Sequence, residues 1–197
     1  MNIRRIHLSG HTVRLEPLTV EHAPALARVG LDLELWRLQP APIATTEDML
    51  TYVNQALDEE QRGIALPFAI IDQASGAVIG STRYMDIAMA HRRLEIGATW
   101  LAQAYQRTGA NTEAKLLLLT HAFEELSAIR VVFKTEVLNQ TSRRALFRLG
   151  AVEEGVFRKH LLAASGRPRD MVYFSILDTE WPKVKAGLSD RLHRARL

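Results

Sequence analysis

Apolar and polar positions change period several times along this chain, and each change marks an element. Thr12-Val13-Arg14-Leu15 alternates at period two and stops at Pro17, which predicts a short first strand. A helix should follow, capped by Thr19, with Glu21 at its positive end, Leu26 and Val29 inside and Gly30 closing it. Leu31 to Pro42 is less regular; Trp36 and the prolines predict a loop or a short helix with an exposed aromatic. Thr45 and Asp48 stand at capping-box spacing, and Met49, Leu50, Val53 and Leu57 then recur at helical intervals to about Glu60.

Leu66 to Ile71 and Ala77 to Tyr84 read as hairpin strands around the turn formers of Asp72-Gln73-Ala74-Ser75-Gly76. Arg93 to Leu101 is the next strand. Strict alternation puts Leu94, Ile96, Ala98 and Trp100 on one face, and Glu95, Gly97 and Thr99 on the other. Thr112 to Leu126 is apolar around most of its circumference, the pattern of a helix buried on several sides. Val131 to Val137 is a β-branched strand, and Gln140 to Leu149 a helix with Gly150 as a left-handed cap. Glu154 to Leu162 and Arg169 to Leu177 flank Ala163 to Pro168 as a final hairpin, and a last helix runs from near Asp178 to about Leu192.

This order predicts an α/β fold, a mixed central sheet of about seven strands flanked by helices. The Arg93 strand, the Leu116 helix and the Val131 strand should form a parallel strand–helix–strand unit. With no internal repeat or linker, residues 1–197 read as a single domain ending in a short basic tail.

Composition narrows the function classes. The chain has 25 basic and 22 acidic side chains, a net charge of only +3 despite a pI near 9.4, so a nucleic-acid partner is not expected. Arginines cluster at Arg4-Arg5, Arg92-Arg93, Arg143-Arg144 and Arg191 to Arg196; such clusters either hold phosphates or are solvated faces. Absence of cysteine excludes disulfides, thiolate metal sites and a cysteinyl-enzyme intermediate. His91, His121 and His160 lack metal-ligand company, and no metal is expected; His121 reads as a satisfied core residue. No apolar run reaches signal-peptide or membrane-span length, so a cytoplasmic chain without a membrane partner is expected, and a homodimer is left open.

The stretch from Trp100 to Ala114 carries the chemistry. A strand runs into a polar, glycine-containing loop and then a buried helix, which aims unpaired N–H groups and a positive dipole end at one spot suited to a phosphate. Arg107 adds charge, Gly109 permits close backbone approach, and Thr108, Asn111 and Thr112 add hydrogen-bonding groups. From the residues alone, the same segment equally fits a plain helix cap. The lysine-ending nucleotide loop and the dinucleotide glycine spacing are both missing, so a different phosphate ligand is required.

Several segments together are distinctive: Glu95-Ile96-Gly97 leading into Trp100-Leu101, Gln106-Arg107-Thr108-Gly109-Ala110-Asn111, Asn139-Gln140-Thr141-Ser142, Arg148-Leu149-Gly150-Ala151, Glu154-Gly155, Arg158 with His160, and Arg169-Asp170. Through them the chain resembles the GNAT superfamily of acyl-CoA N-acyltransferases, especially its RimJ/RimL-like branch, over roughly Thr12 to Pro182. Gln106 and Gly109 match the first two fixed positions of the superfamily's pyrophosphate loop, while Asn111 stands where Gly or Ala is commoner.

The resemblance implies acetyl-CoA as co-substrate and a primary amine, of a protein N-terminus or a small molecule, as acceptor. It implies that the backbone at Trp100 and Leu101 pairs with the pantetheine arm, that Gln106, Arg107, Thr108, Gly109, Ala110, Asn111 and Thr112 hold the pyrophosphate, and that Asn139 and Ser142 face the thiol end. Asn139 on its own also fits a helix cap. A lysine amine, with a reference pKa of about 10.4, needs a base more than an α-amino group does. Glu95 is the candidate base, with a structural carboxylate paired to Arg92, Arg93 or Arg83 as the alternative; Ser142, or else Tyr105, is the candidate donor to the leaving thiolate. Trp36, with Leu31 to Pro42 and the 163–168 hairpin tip, is placed on the acceptor side. The competing function is an acyl-CoA-binding sensor that keeps the cleft without transferring the acyl group.

Overall fold

The computed structural model describes residues 1–194. The elements, in chain order, are β1 (Leu8–Ser9), β2 (Val13–Pro17), α1 (Ala23–Gly30), α2 (Leu33–Trp36), α3 (Thr46–Gln61), β3 (Leu66–Asp72), β4 (Val78–Ala88), β5 (Arg93–Leu101), α4 (Ala110–Thr120), β6 (Arg130–Glu136), α5 (Gln140–Leu149), β7 (Val152–Leu162), β8 (Pro168–Leu177) and α6 (Trp181–Arg194). The strands form one sheet in the order β1-β2-β3-β4-β5-β6-β8-β7. It has eight strands where about seven were expected; the addition is β1, two residues long and too short to show a period. Every neighbouring pair is antiparallel except β5 and β6, the pair expected to be parallel.

Two cores follow from the alternation of the strands. In β3, Phe68 and Ile70 face one way with Tyr84, Leu94, Ile96 and Phe133, beneath Leu118 and Leu119 of α4, Leu146 of α5 and Leu188 of α6. Ala69 and Ile71 face the other way, under Leu26 of α1, Trp36 of α2 and Met49 and Val53 of α3. The α3 capping box is present: Thr45 Oγ1 accepts from Asp48 N at 3.1 Å, and Asp48 Oδ2 accepts from Thr45 N at 2.9 Å. Gly150 closes α5 at φ 95°, the left-handed cap that its position demanded.

Three details depart from the sequence pattern. The long helix expected from Thr112 begins at Ala110 and, at His121–Glu125, widens into a π turn. The Tyr84 hydroxyl donates to the Leu118 carbonyl at 2.6 Å just before that turn, and a side chain inserted into the ladder is a known cause of such a switch. Second, Trp36 is not exposed. It is 5% accessible, its Nε1 donates to Gly30 O at 2.6 Å, and its ring packs on those of Tyr52 and Trp100.

Third, β5 does not alternate strictly. Gly97 pairs with Arg83 and Trp100 with Ser81, so three steps on β5 match two on β4, and Ala98 sits at φ 46° in the extra position. This bulge resets the faces. Trp100 therefore joins the α1–α3 core, opposite Leu94 and Ile96, while Thr99 and Leu101 turn to the α4 side, where Lys115 of α4 bonds Thr99 and Leu101 enters the core.

Candidate active site

The parallel pair β5–β6 holds together over only three registers, Arg93↔Arg130, Leu94↔Val131 and Glu95↔Val132. From Ile96 onward β5 has no partner on that side among the described residues, and the two strands part into a splay just before the bulge. The loop leading to α4 stands at the mouth of this splay. Gln106 Nε2 donates to Leu101 O at 3.1 Å, fixing the loop to the end of β5. Thr108 Oγ1 donates to Tyr105 O at 2.7 Å and accepts from Ala110 N at 3.2 Å. The first turn of α4 leaves the amides of Asn111 and Thr112 without intrahelical partners. The left-handed residue of the loop is Arg107, at φ 61°; Gly109 has an ordinary φ of −68°, so its freedom is not what the loop geometry uses.

Beside this mouth is a small cavity of about 50 Å³ lined by Asn111, Thr112 and Lys115 of α4, Ala145 and Arg148 of α5 and Arg191 of α6, among others. Arg191 Nη1 donates to Arg148 O at 2.7 Å, which ties α6 to α5 and sets two arginines from separate segments along the cavity. The other arginine clusters are largely spent within the fold. Arg5 pairs with Glu60, Arg93 with Asp86 and Arg143 with Glu153, while Arg92 donates to Ser127 O. Arg196 lies outside the described residues.

Glu95 ends the last paired register and lies on the face opposite Leu94 and Ile96, as expected, which is the side of α1 and α3. It is 6% accessible, and its partner is none of the arginines considered from sequence but Lys134, with Nζ 2.7 Å from Oε2. Arg83 is taken by Glu59 and Arg93 by Asp86. Lys134 also approaches Asp86 at 3.8 Å and lies over the Tyr173 ring, whose hydroxyl is 2.9 Å from His160 Nε2. Burial pushes the Glu95 carboxyl above the usual carboxylate range, and Lys134 pulls part of that rise back. Gly97 keeps space beside it, since a Cβ there would lie 2.9 Å from Glu95 Oε1 and 2.8 Å from Met85 Sδ.

On the opposite face Lys115 is equally buried, and its Nζ donates to Thr99 Oγ1 at 2.6 Å. Sequence reading passed over it. The signal was the one basic residue of α4, standing just before its leucine run and three and four places after Thr112 and Asn111. Lys134 was missed because its meeting with Glu95 depends on strand pairing rather than on any local spacing.

Asn139 caps α5, its Oδ1 accepting from Ser142 N at 3.0 Å, so the capping reading of that residue holds. Ser142, the residue whose N–H is capped, is half-buried. The two acceptor-side segments do come together. Ala164 N in the hairpin tip donates to Pro40 O at 2.8 Å, and Arg169 Nη2 to Leu38 O at 2.8 Å, while Arg169 and Arg167 both grip the buried Glu136. Trp36 packs against Trp100, with ring centroids 5.4 Å apart, and is buried in the α1–α3 core. His121 is a core residue, as expected, with Nδ1 3.2 Å from the Tyr84 hydroxyl.

This geometry has relatives. Residues 12–152 match the family model described as acetyltransferase (GNAT) domain. YdaF of Bacillus subtilis (strain 168), whose name assigns it provisionally to ribosomal N-acetyltransferases, is 37% identical over 110 residues, covering 56% of this chain and 59% of that protein. The crystal structure of a GCN5-related N-acetyltransferase from Brucella melitensis superposes with a TM-score of 0.89 at 33% identity, over 96% of this chain and 86% of that one. RimL, a ribosomal L7/L12 alpha-N-protein acetyltransferase, shares the fold at a TM-score of 0.78 and 23% identity, over 88% and 94% of the two chains.

Proposed function

Because the chain belongs to the acetyltransferase (GNAT) family, we propose that it transfers an acetyl group from acetyl-CoA directly to a primary amine, on a protein N-terminus or a small molecule. The observation that carries this reading is the parting of β5 and β6 after Glu95, with the α4 loop at its mouth. An unpaired strand edge offers backbone groups to an amide-bearing arm, and the amides of a helix N-terminus offer them to a diphosphate. Gln106 to Thr112 would hold the diphosphate, with Arg148 and Arg191 supplying charge beside it. Trp100 and Leu101 would hold the arm by their backbone, and Asn139 and Ser142 would flank its thiol end.

Bound there, the co-substrate supplies an activated acyl group. The protein's task is to hold it still, exclude water and manage protons. Glu95 is the proton acceptor on the acceptor face: burial raises its pKa and so makes it the better base, directly or through water, while Lys134 offsets part of that rise. Backbone N–H groups near Trp100 would meet the developing oxyanion.

The name of RimL favours a protein N-terminus and that of YdaF a ribosomal acceptor, whereas the joined 38–40 and 163–169 segments restrict the acceptor side enough to suit a small amine as well. Acetyl-CoA binding is measured by calorimetry, and turnover is followed by mass spectrometry against a panel of peptides and small amines. Binding with an acetylated product supports the reading; binding with no product from any amine leaves a sensor in its place.

A further inference from the structure

Lys115 is the one charged side chain of the splay that the roles above leave unused. Its Nζ lies between the parted strands, 2.6 Å from Thr99 Oγ1 on β5 and 5.9 Å from the Phe133 ring centre on β6. Thr99 Oγ1 is in turn 2.7 Å from Thr82 Oγ1, so the hydroxyl is held in place for the lysine. Among the described residues no carboxylate reaches Lys115 within ion-pair distance; Glu95 acts on it only from across the sheet. A buried ammonium with a single hydroxyl partner is costly, and an apolar residue of the same volume would serve the core better. Its retention at the opening, beside Asn111 and Thr112 of the loop, is better explained by chemistry. Burial lowers its pKa to about 7, where it exchanges protons readily at neutrality.

We propose that Lys115 is the acid that discharges the departing thiolate, opposite the base Glu95, and so takes the role expected from sequence of Ser142 or else Tyr105. This rests on the acetyl-CoA reading above. The acceptor nitrogen forms its bond to the acyl carbon and loses a proton to Glu95. The C–S bond breaks with its electron pair on sulfur, and the Lys115 ammonium gives that sulfur a proton. Glu95 then releases its proton to solvent water and the neutral Lys115 amine takes one up from it, so the net exchange of protons with solvent is zero. Base and acid thus occupy opposite faces of the sheet, and the splay is the gap between them.

The test titrates the thiol of bound coenzyme A through the ultraviolet absorbance of its thiolate, with the desulfo analogue as the blank, in the wild type, K115M and K115R. The other ionisable groups around the site stay unchanged: Glu95 of β5, Lys134 of β6, Arg148 of α5, Arg191 of α6, and the deeper Tyr84 and His121. Removing the cation in K115M should lower the thiolate fraction at neutral pH by about tenfold, as expected when an opposite charge within a few ångströms is lost. K115R should keep the thiolate and lose turnover, because a guanidinium holds its proton. An unchanged thiol titration in K115M, with the desulfo analogue still bound, overturns the role of Lys115 alone. Failure of both coenzyme A and its desulfo analogue to bind overturns the donor reading, and this proposal with it.

Discussion

On one face of the sheet Glu95 is buried but stands 2.7 Å from the Lys134 ammonium; on the other, Lys115 is buried to the same degree with, among the described residues, only the Thr99 hydroxyl in hydrogen-bond reach. Desolvation penalises the charged form of both, raising the carboxyl and lowering the amine. Only the carboxylate has a counter-ion to offset it. One protein therefore carries a compensated and an uncompensated ion on opposite faces of one sheet, and the difference separates the two in any mutant series. Taking away the partner of Glu95 creates an orphan, whereas taking away Lys115 removes one.

The largest effect should follow loss of the base itself. Glu95→Gln is expected to lower turnover by about 10²–10⁴-fold while the acetyl-CoA affinity stays near the wild-type value. Steady-state kinetics with calorimetry check this, and an unchanged rate would remove Glu95 from the reaction. Next comes Lys134→Met, which leaves a buried carboxylate alone. It should destabilise the fold by about 3 kcal/mol, measured by urea melts. It should also move the ascending limb of the pH–rate profile upward, because without the cation the protonated carboxyl is favoured.

Lys115→Met should move stability the other way. The folded-state pKa of Lys115, about 7, is below that of the unfolded chain, so the unfolded state binds more protons between the two values. The penalty is therefore full below pH 7 and is relieved as pH rises toward the ordinary lysine value. K115M is expected to gain about 1–4 kcal/mol at pH 6, with the gain shrinking by pH 10. A gain independent of pH would show that packing, not charge, is responsible. The smallest effect lies outside both ions: Asn139→Ala should cost about 1 kcal/mol as a lost cap, and Ser142→Ala, which keeps the capped backbone N–H, less than that in thermal melts.

The sequence made most elements legible because their signals are local. The Thr45–Asp48 box, the Gly150 cap and the period of β3 lie within a few residues of what they control. The α4 loop was legible too, since a strand, a polar loop and an apolar helix in series imply where the amides point. What escaped depends on partners far along the chain. The face of Trp100 turned on one unpaired residue that no alternation rule predicts. The burial of Trp36 depends on a bond to Gly30 and on rings from α3 and β5. The choice of Lys134 over three nearer arginines needed the β5–β6 pairing.

The extra residue at Ala98 carries a consequence for chain length. Its neighbours Gly97 and Trp100 already stand opposite Arg83 and Ser81, two apart on β4, so the ladder would close cleanly without it. Deleting Ala98 should leave every flanking side chain on its present face and cost chiefly the bend. Deletions inside a strand ordinarily wreck a protein. Here one would straighten the strand, and coenzyme A binding by the shortened chain, measured by calorimetry, tests whether the bend is what holds β5 and β6 apart.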